Sequence, residues 1–571
     1  MHPLTIISAD AVDYVIIAVY FAFVLGIGWL ASRGVSDSVD YFLSGRSLPA
    51  WVTGLAFISA NLGAVEIMGM SANGAQYGLP AVHYFWIGAI PAMLFLGVVM
   101  MPFYYGSKVR SVPEFMLRRF GPGAHIVNAI LFAVAQLLIA GINLYLLGAI
   151  VHALLGWSLW IALLVAAAIV LVYITLGGLR AAIYNEVLQF FVIVAALAPL
   201  TWLGLHRLGG WGGLKDKITA AAPSPHAASL ELNSWPGNNL TGYGSDLLSV
   251  IGIVFGLGFV LSFGYWTTNF VEVQRAMASE SITAARKTPI IGAFPKMFFP
   301  FITIFPGMIA AVLVTEIAKT KAGQSVPGGA AGSVTFNDAL LYLMRDLLPN
   351  GLLGIAITGL LASFMAGMAA NISAFNTVLS YDVVQTYLAK DRPDGFYVRV
   401  GRIATVVATV IAIGTAGIAS NFSNIMTYLQ NLFGFFNAPI FATFILGMFW
   451  RRMTPKAGWL GLICGTAAAI VVAFLSKDGF GSASTGTLNV SGQGTSFVAA
   501  GAAFVVDILV SLVVSAVSKP RPYAELKGLV YSETPRDSLV DKDAATHAWY
   551  ARPVPLAGIA LVIVIVLNVM F

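Results

Sequence analysis

From residue 11 onward, long apolar runs alternate with short polar connections as far as residue 571. A bilayer-crossing helix needs about 20 mostly apolar residues. Fourteen runs meet that length, near 11–32, 49–73, 80–104, 124–152, 157–176, 181–206, 247–271, 289–316, 351–381, 396–419, 424–448, 457–476, 496–518 and 553–571. The first is longer than the core of a secretory signal, has no basic stretch before it, and runs into Ala31-Ser32-Arg33 like a stop-transfer boundary. It therefore counts as a helix. The pattern predicts an all-α integral membrane protein with a single membrane domain over 1–571.

Composition agrees, since 58% of residues are hydrophobic and 10% charged, less than half the charged fraction of a soluble domain. The net charge of +6 forms no basic stripe for nucleic acid, because Lys and Arg sit in the connections. Connections near 33–48, 105–123, 177–180, 272–288, 382–402, 449–456 and 519–552 hold 23 of them. The opposite set holds 7, six of which fall in the long loops 207–246 and 317–350, where the positive-inside rule is weak. The first set is expected to be cytoplasmic and both termini extracytoplasmic, in a multi-pass protein of the cell membrane. Cys464 is the single cysteine, so no intramolecular disulfide or cysteine-based metal site is available.

Two runs look broken. The second carries Asn61-Leu62-Gly63-Ala64-Val65-Glu66, and the seventh carries Gly256, Gly258 and Gly264 around Ser262. Broken helices in transporters free backbone groups near the midplane for ions and substrate. The two lie five runs apart, which fits a repeat of five helices, and an odd repeat length implies inverted topology. The repeats would take 49–206 and 247–448, with 11–32 and 457–571 peripheral.

Ionisable residues within apolar runs are costly, about 2.5–3.5 kcal/mol on insertion scales, and Glu66, Glu186, Lys296 and Asp507 are such residues. Lys296 lies about 12 Å into the eighth run by helical rise. Glu66 adjoins the suspected break. Glu186 lies near a cytoplasmic end, where an interfacial carboxylate is as reasonable as a functional one, and Asp507 reads as a structural partner outside the repeats. Opposite charges at Glu66 and Lys296 would neutralise each other if they lined one cavity. No zinc-protease, phosphate-loop, nucleophile-elbow or dinucleotide motif is present. The chain is expected not to be an enzyme and to need no cofactor, leaving transport that is uncoupled or driven by an ion gradient.

The segment Asp40-Tyr41-Phe42-Leu43-Ser44-Gly45-Arg46-Ser47-Leu48-Pro49, then Ser59-Ala60-Asn61, Val112-Pro113-Glu114-Phe115, Gly177-Gly178-Leu179, Gln274-Arg275 and Phe449-Trp450-Arg451-Arg452, resembles the solute:sodium symporter family. That family includes fourteen-helix sodium/glucose cotransporters. The motifs occur in order over nearly the whole chain, and the 525–531 loop is similar to one in sugar and inositol members. The resemblance implies the inverted five-plus-five, LeuT-like fold and coupling to sodium. By position, Asn61, Lys296 and Gln430 match polar sugar contacts, and Tyr265 matches an aromatic gate beneath the sugar. A hydroxyl-rich solute needs such donors and acceptors, plus a ring to cover its apolar face.

Three substrate positions depart from the family's pattern: Phe85 stands where a sugar-binding Glu is usual, Glu66 where an amide or imidazole is, and Ser262 where an Asn is. The carboxylate has in effect moved from the third run to the second. At the family's sodium site, the carbonyl positions are Ser59, Leu62 and Ser363, whereas the two hydroxyl positions read Ala366 and Gly367. Hard cations prefer oxygen ligands, so this site is expected to be weakened, and serines restored at 366 and 367 to strengthen it. Glu186 aligns with an acidic residue near the family's ion path and is a second carrier for a cation or proton.

The resulting expectation is sodium-coupled symport of a sugar or polyol by alternating access around the second, third, seventh, eighth and eleventh runs. Its alternatives are symport of a carboxylate or amino-acid-like solute bound through Lys296, proton-coupled or uncoupled, and a non-transporting membrane sensor.

Overall fold

The computed structural model describes residues 6–32, 47–107, 111–329, 332–477, 479, 484–535, 541 and 548–571. Asp40–Arg46 of the motif lies outside these residues, and so do the side chains of Gly177-Gly178-Leu179. Among the described residues the protein is helical, with two isolated bridges, Leu48 to Ser279 and Pro327 to Ser333, as its only extended pairings.

The principal helices are α1 (Ala11–Ser32), α2 (Ala50–Asn61), α3 (Val65–Tyr77), α4 (Leu79–Tyr104), α5 (Pro122–Leu155), α6 (Leu159–Leu208), α7 (Asp246–Thr268) and α8 (Phe270–Met277). After these come α9 (Ile282–Lys296), α10 (Pro300–Leu313), α11 (Leu352–Leu388), α12 (Asp394–Ala419), α13 (Ile425–Phe449), α14 (Pro455–Leu475), α15 (Gln493–Val517) and α16 (Pro553–Met570). Among the described residues, eleven helical stretches are long and apolar enough to cross a membrane, and the bent pair α2–α3 makes twelve. The first and fifth expected runs appear as shorter apolar stretches, Ala11–Ile27 and Leu159–Ala168.

Three expectations are corrected. The connection at 177–180 is helical, so α6 takes in both expected runs. The seventh run does not break at Ser262. Its residues Gly252–Ser262 are wound as a π-helix, and the chain leaves helical geometry only at Asn269, at ψ 117°. A π-helix shifts the hydrogen-bond register without ending the ladder, and glycines at 252, 256 and 258 let α7 press against Tyr243, Phe497 and Ile87. Finally, the eighth run begins at Ile282 rather than 289, so Lys296 is the last residue of a 15-residue helix. That puts it about 21 Å along the axis by helical rise, and too deep to snorkel back to the helix start.

The second run does break. Leu62 ends α2 at ψ 43° and α3 leaves at 55° to it. Gly63 sits at the corner because a Cβ there would lie 3.3 Å from the Cα of Gly367 on α11.

Burial separates core from periphery. The most apolar stretch of α11 is 89% buried and that of α13 83%, against 22% for α16, whose Val562, Ile565 and Val569 are exposed. With a bilayer as solvent, such faces belong against lipid. Asp507 on α15 is buried, accepting from Thr443 of α13 at 2.8 Å and Ser511 at 3.2 Å. It ties α15 to the buried α13 and lies outside the cavity lining described below.

Small residues set the closest crossing. A Cβ on Gly307 of α10 would lie 1.8 Å from the Ser71 carbonyl oxygen of α3, and one on Gly74 would lie 2.1 Å from the Ile304 carbonyl oxygen. Backbone meets backbone there, as membrane helices with small residues allow. Gly307→Ala is therefore expected to cost at least about 1–3 kcal/mol of overpacking, read as a lower thermal unfolding midpoint in detergent. Gly558→Ala, where nothing lies within 4 Å, serves as the control and is expected to leave the midpoint unchanged.

Candidate functional site

The break in the second run points α2 and α3 at a cavity deep in the bundle. Asn61 ends α2, and Glu66 lies in the first turn of α3, a π turn over Val65–Gly69. Across from them α9 is pinned along α2: Thr53 and Thr288 share a hydrogen bond of 2.6 Å, and a Cβ on Gly54 would touch Ile291 at 2.9 Å. This crossing delivers Lys296, and a turn at 297–299 leads on into α10. Trp86 of α4 holds that turn by donating to the Met297 carbonyl at 3.0 Å.

Lys296 Nζ lies 2.5 Å from Glu66 Oε1 and also donates to Asn61 Oδ1. The ammonium is 4.8 Å from the centre of the Phe85 ring, 5.3 Å from Phe299 and 5.4 Å from Trp266, distances at which a ring face attracts a cation. Phe85 is fully buried and forms this apolar wall. Asn61 in turn donates from Nδ2 to the Tyr265 hydroxyl at 3.0 Å, and that hydroxyl donates to Glu272 Oε1 at 2.7 Å. One polar chain thus runs Glu66–Lys296–Asn61–Tyr265–Glu272 and joins five helices, α2, α3, α7, α8 and α9.

The cavity is lined by Asn61, Glu66, Ser262, Tyr265, Lys296 and Gln430, six of the seven residues the sequence assigns to the solute. Tyr265 packs against Phe433 of α13 at 4.6 Å and edge-on to Trp266 at 5.2 Å. Tyr84, Met70 and Met426 also line the cavity, and Tyr84 is anchored by its hydroxyl to Gln493 of α15 at 2.7 Å.

Of the positions that the resemblance assigns to sodium, Gly367 alone is among the residues lining this cavity. Ser59, Leu62, Ser363 and Ala366 are completely buried. Glu186 lies elsewhere: its carboxylate takes Arg275 Nη2 at 2.6 Å and Nε at 3.4 Å, with both side chains inaccessible to solvent. A guanidinium already occupies the carboxylate that sequence reasoning offers to a cation. No group of three or more His, Cys, Asp or Glu that could hold a metal ion is found among the described residues.

Sequence reasoning missed Glu272, Asn143 and Asn371. Glu272 falls in a segment read as a cytoplasmic connection, yet α8 is buried along its whole length. The signal was the Gln274-Arg275 motif beside it, since a buried guanidinium calls for buried carboxylates. Asn143 and Asn371 both line the cavity, and their only signal was an amide within a long apolar run that holds other amides as well.

A polytopic helical bundle with one helix broken beside a buried polar cavity is the architecture of a secondary transporter. The chain belongs to the sodium:solute symporter family, whose model matches residues 41–465. These are membrane transporters rather than enzymes, and sodium is their coupling ion. The chain is 29% identical to a sodium/glucose cotransporter of Vibrio parahaemolyticus over 81% of this chain and 85% of that protein. It is 28% identical to a sodium/myo-inositol cotransporter 2 of Sus scrofa, over 81% and 70%. Its fold is similar to that of a sodium-coupled sialic acid symporter in a substrate-bound, outward-open state. The TM-score there is 0.71 at 17% identity, over 90% of this chain and 99% of that one.

Proposed function

We propose that the protein is a sodium-coupled symporter of a neutral, hydroxyl-rich solute, a sugar or polyol, working by alternating access in a cell membrane. The observation that carries this reading is the Glu66–Lys296 pair. It leaves the cavity rich in donors and acceptors without an uncompensated charge, and Tyr265 and Trp266 offer ring faces beside it. A carboxylate solute would have to displace Glu66 from Lys296 to find a counter-ion. The sugar and inositol relatives support the same class. The segments 49–206 and 247–448 act as the two inverted repeats that rock about the cavity, with 11–32 and 457–571 peripheral and both termini extracytoplasmic. Sodium sits at the break of the second run against Ser363.

Uptake into proteoliposomes tests this, using labelled hexoses, inositols and organic acids with sodium or choline outside. Sodium-stimulated uptake of a neutral polyol, competed by other polyols and not by organic acids, is the expected result. The reverse competition would establish the carboxylate alternative.

Tyr265 supplies a further prediction. Tyr265→Phe removes both the donor to Glu272 and the acceptor for Asn61 while keeping the ring. It is expected to reduce uptake several-fold, with Tyr265→Ala reducing it further, both at near-normal amounts of folded protein in the membrane. Parallel loss of uptake and folded protein would make Tyr265 a packing residue.

A further inference from the structure

The break in the second run gathers oxygen acceptors that the polar chain of the cavity does not use. A helix ending at Asn61 leaves its last four carbonyls without intrahelical donors, and among the described residues only that of Ile58 finds one, the Leu62 amide at 3.0 Å. The carbonyls of Ser59, Ala60 and Asn61 are thereby released at the corner. That corner lies against α11, where a Cβ on Gly63 would meet the Gly367 Cα at 3.3 Å and the Ser363 carbonyl oxygen at 3.8 Å.

A third element reaches the same point. Asn143 of α5 is 2% exposed, and its Nδ2 donates along its own helix to the Ile139 carbonyl at 3.1 Å. That bond fixes the amide, and Oδ1 then points into the corner: it lies 3.5 Å from where a Gly63 Cβ would stand and 3.0 Å from a Gly367 Cβ. Oδ1 has no hydrogen-bond partner among the described residues, and neither does the Ser59 hydroxyl. A buried acceptor left unmade costs about 1–3 kcal/mol, so a corner built mainly of acceptors calls for a cation or a donor.

We propose that Asn143 Oδ1 is a ligand of the coupling sodium ion at the Leu62–Ala64 break, standing in for the hydroxyls absent at Ala366 and Gly367. A hard monovalent cation takes neutral carbonyl and amide oxygens, and those are what this junction offers. The glycine at 367 is the reciprocal change. A side chain there would meet Asn143 Oδ1 at 3.0 Å and the Gly63 Cα at 3.1 Å, so a hydroxyl at 367 and the amide of Asn143 compete for one space. Serines restored at 366 and 367 together were expected to strengthen the site; at 367 the crowding against Asn143 now predicts the opposite.

This inference rests on the sodium-coupled reading above, and the test separates the two. The purified full-length protein is unfolded thermally in NaCl replaced stepwise by choline chloride, without solute, since an ion that binds only the folded state raises the midpoint with its concentration. The wild type is expected to show saturable stabilisation by sodium. Asn143→Ala should raise the half-saturating sodium concentration by about tenfold or more, equivalent to about 1.4 kcal/mol. Asn143→Asp, which keeps the oxygen and adds charge, should lower it, and Gly367→Ser should raise it. If Asn143→Ala folds poorly, the opposite shifts of Asn143→Asp and Gly367→Ser decide the matter. An unchanged half-saturation in Asn143→Ala with weakened solute binding would make Asn143 a solute contact; the inference would fall and the symporter reading stand. A lower value in Gly367→Ser would also overturn the inference. A wild type that sodium neither stabilises nor stimulates in uptake would remove the symporter reading itself.

Discussion

Lys296→Gln is expected to lower folding stability by about 3–5 kcal/mol and to abolish uptake, because it leaves Glu66 ionised and unpaired in a site almost closed to water. The side chains of Lys296 and Glu66 are 2% and 13% exposed, so neither has enough solvent to replace its partner. Glu66→Gln should cost somewhat less, since Lys296 keeps Asn61 as an acceptor and three aromatic rings within 5.4 Å. The informative variant is the double exchange Glu66→Gln/Lys296→Gln. Two amides can hydrogen-bond to each other without a charge to desolvate, so thermal stability should return most of the way while uptake stays lost. A double variant that transports like the wild type would reduce the pair to a structural bridge. Single variants as stable as the wild type would mean that the ion pair does not form in the membrane.

The second large effect is expected at Glu186. In Glu186→Gln the Arg275 guanidinium, which has no solvent exposure, retains the Val271 carbonyl at 2.9 Å and Gln274 Oε1 at 3.3 Å but loses its directly paired carboxylate. Removing one partner of a fully buried pair costs about 3–5 kcal/mol, so both gradient-driven accumulation and downhill exchange should fall with the amount of folded protein. Arg275→Gln should behave alike, and the double variant should recover stability beyond either single one. If Glu186 carries the coupling charge instead, Glu186→Gln would keep its unfolding midpoint and its exchange activity and lose accumulation alone. Solute exchange and accumulation measured on the same proteoliposomes, beside the unfolding midpoint, distinguish the two roles.

Much of this protein was legible along the chain because a bilayer imposes its rule locally. Every backbone amide in hydrocarbon must be paired within its own segment, so span and length follow from composition over a window of about 20 residues. The apolar runs, the break at Asn61–Glu66 and the rarity of Glu66 and Lys296 within such runs are one-dimensional facts, and they named the centre of the cavity in advance. The seventh run was misjudged because glycine serves two ends: it permits a break, and it permits a π-wound helix to lie close to its neighbours. Pattern alone does not separate those.

What only the tertiary structure decided is pairing, since pairing depends on which helices cross and at what depth. Glu186 reads as a free carboxylate until α8 places Arg275 against it 89 residues further on. Glu272 reads as part of a loop until α8 is buried, and Asn143 as an incidental amide until Gly63 and Gly367 meet beside it. Sequence determines which residues are too costly to bury alone; the crossing of α2, α5, α9 and α11 determines what each is buried against, and that contact sets its charge, its hydrogen bonds and the ligand it can take.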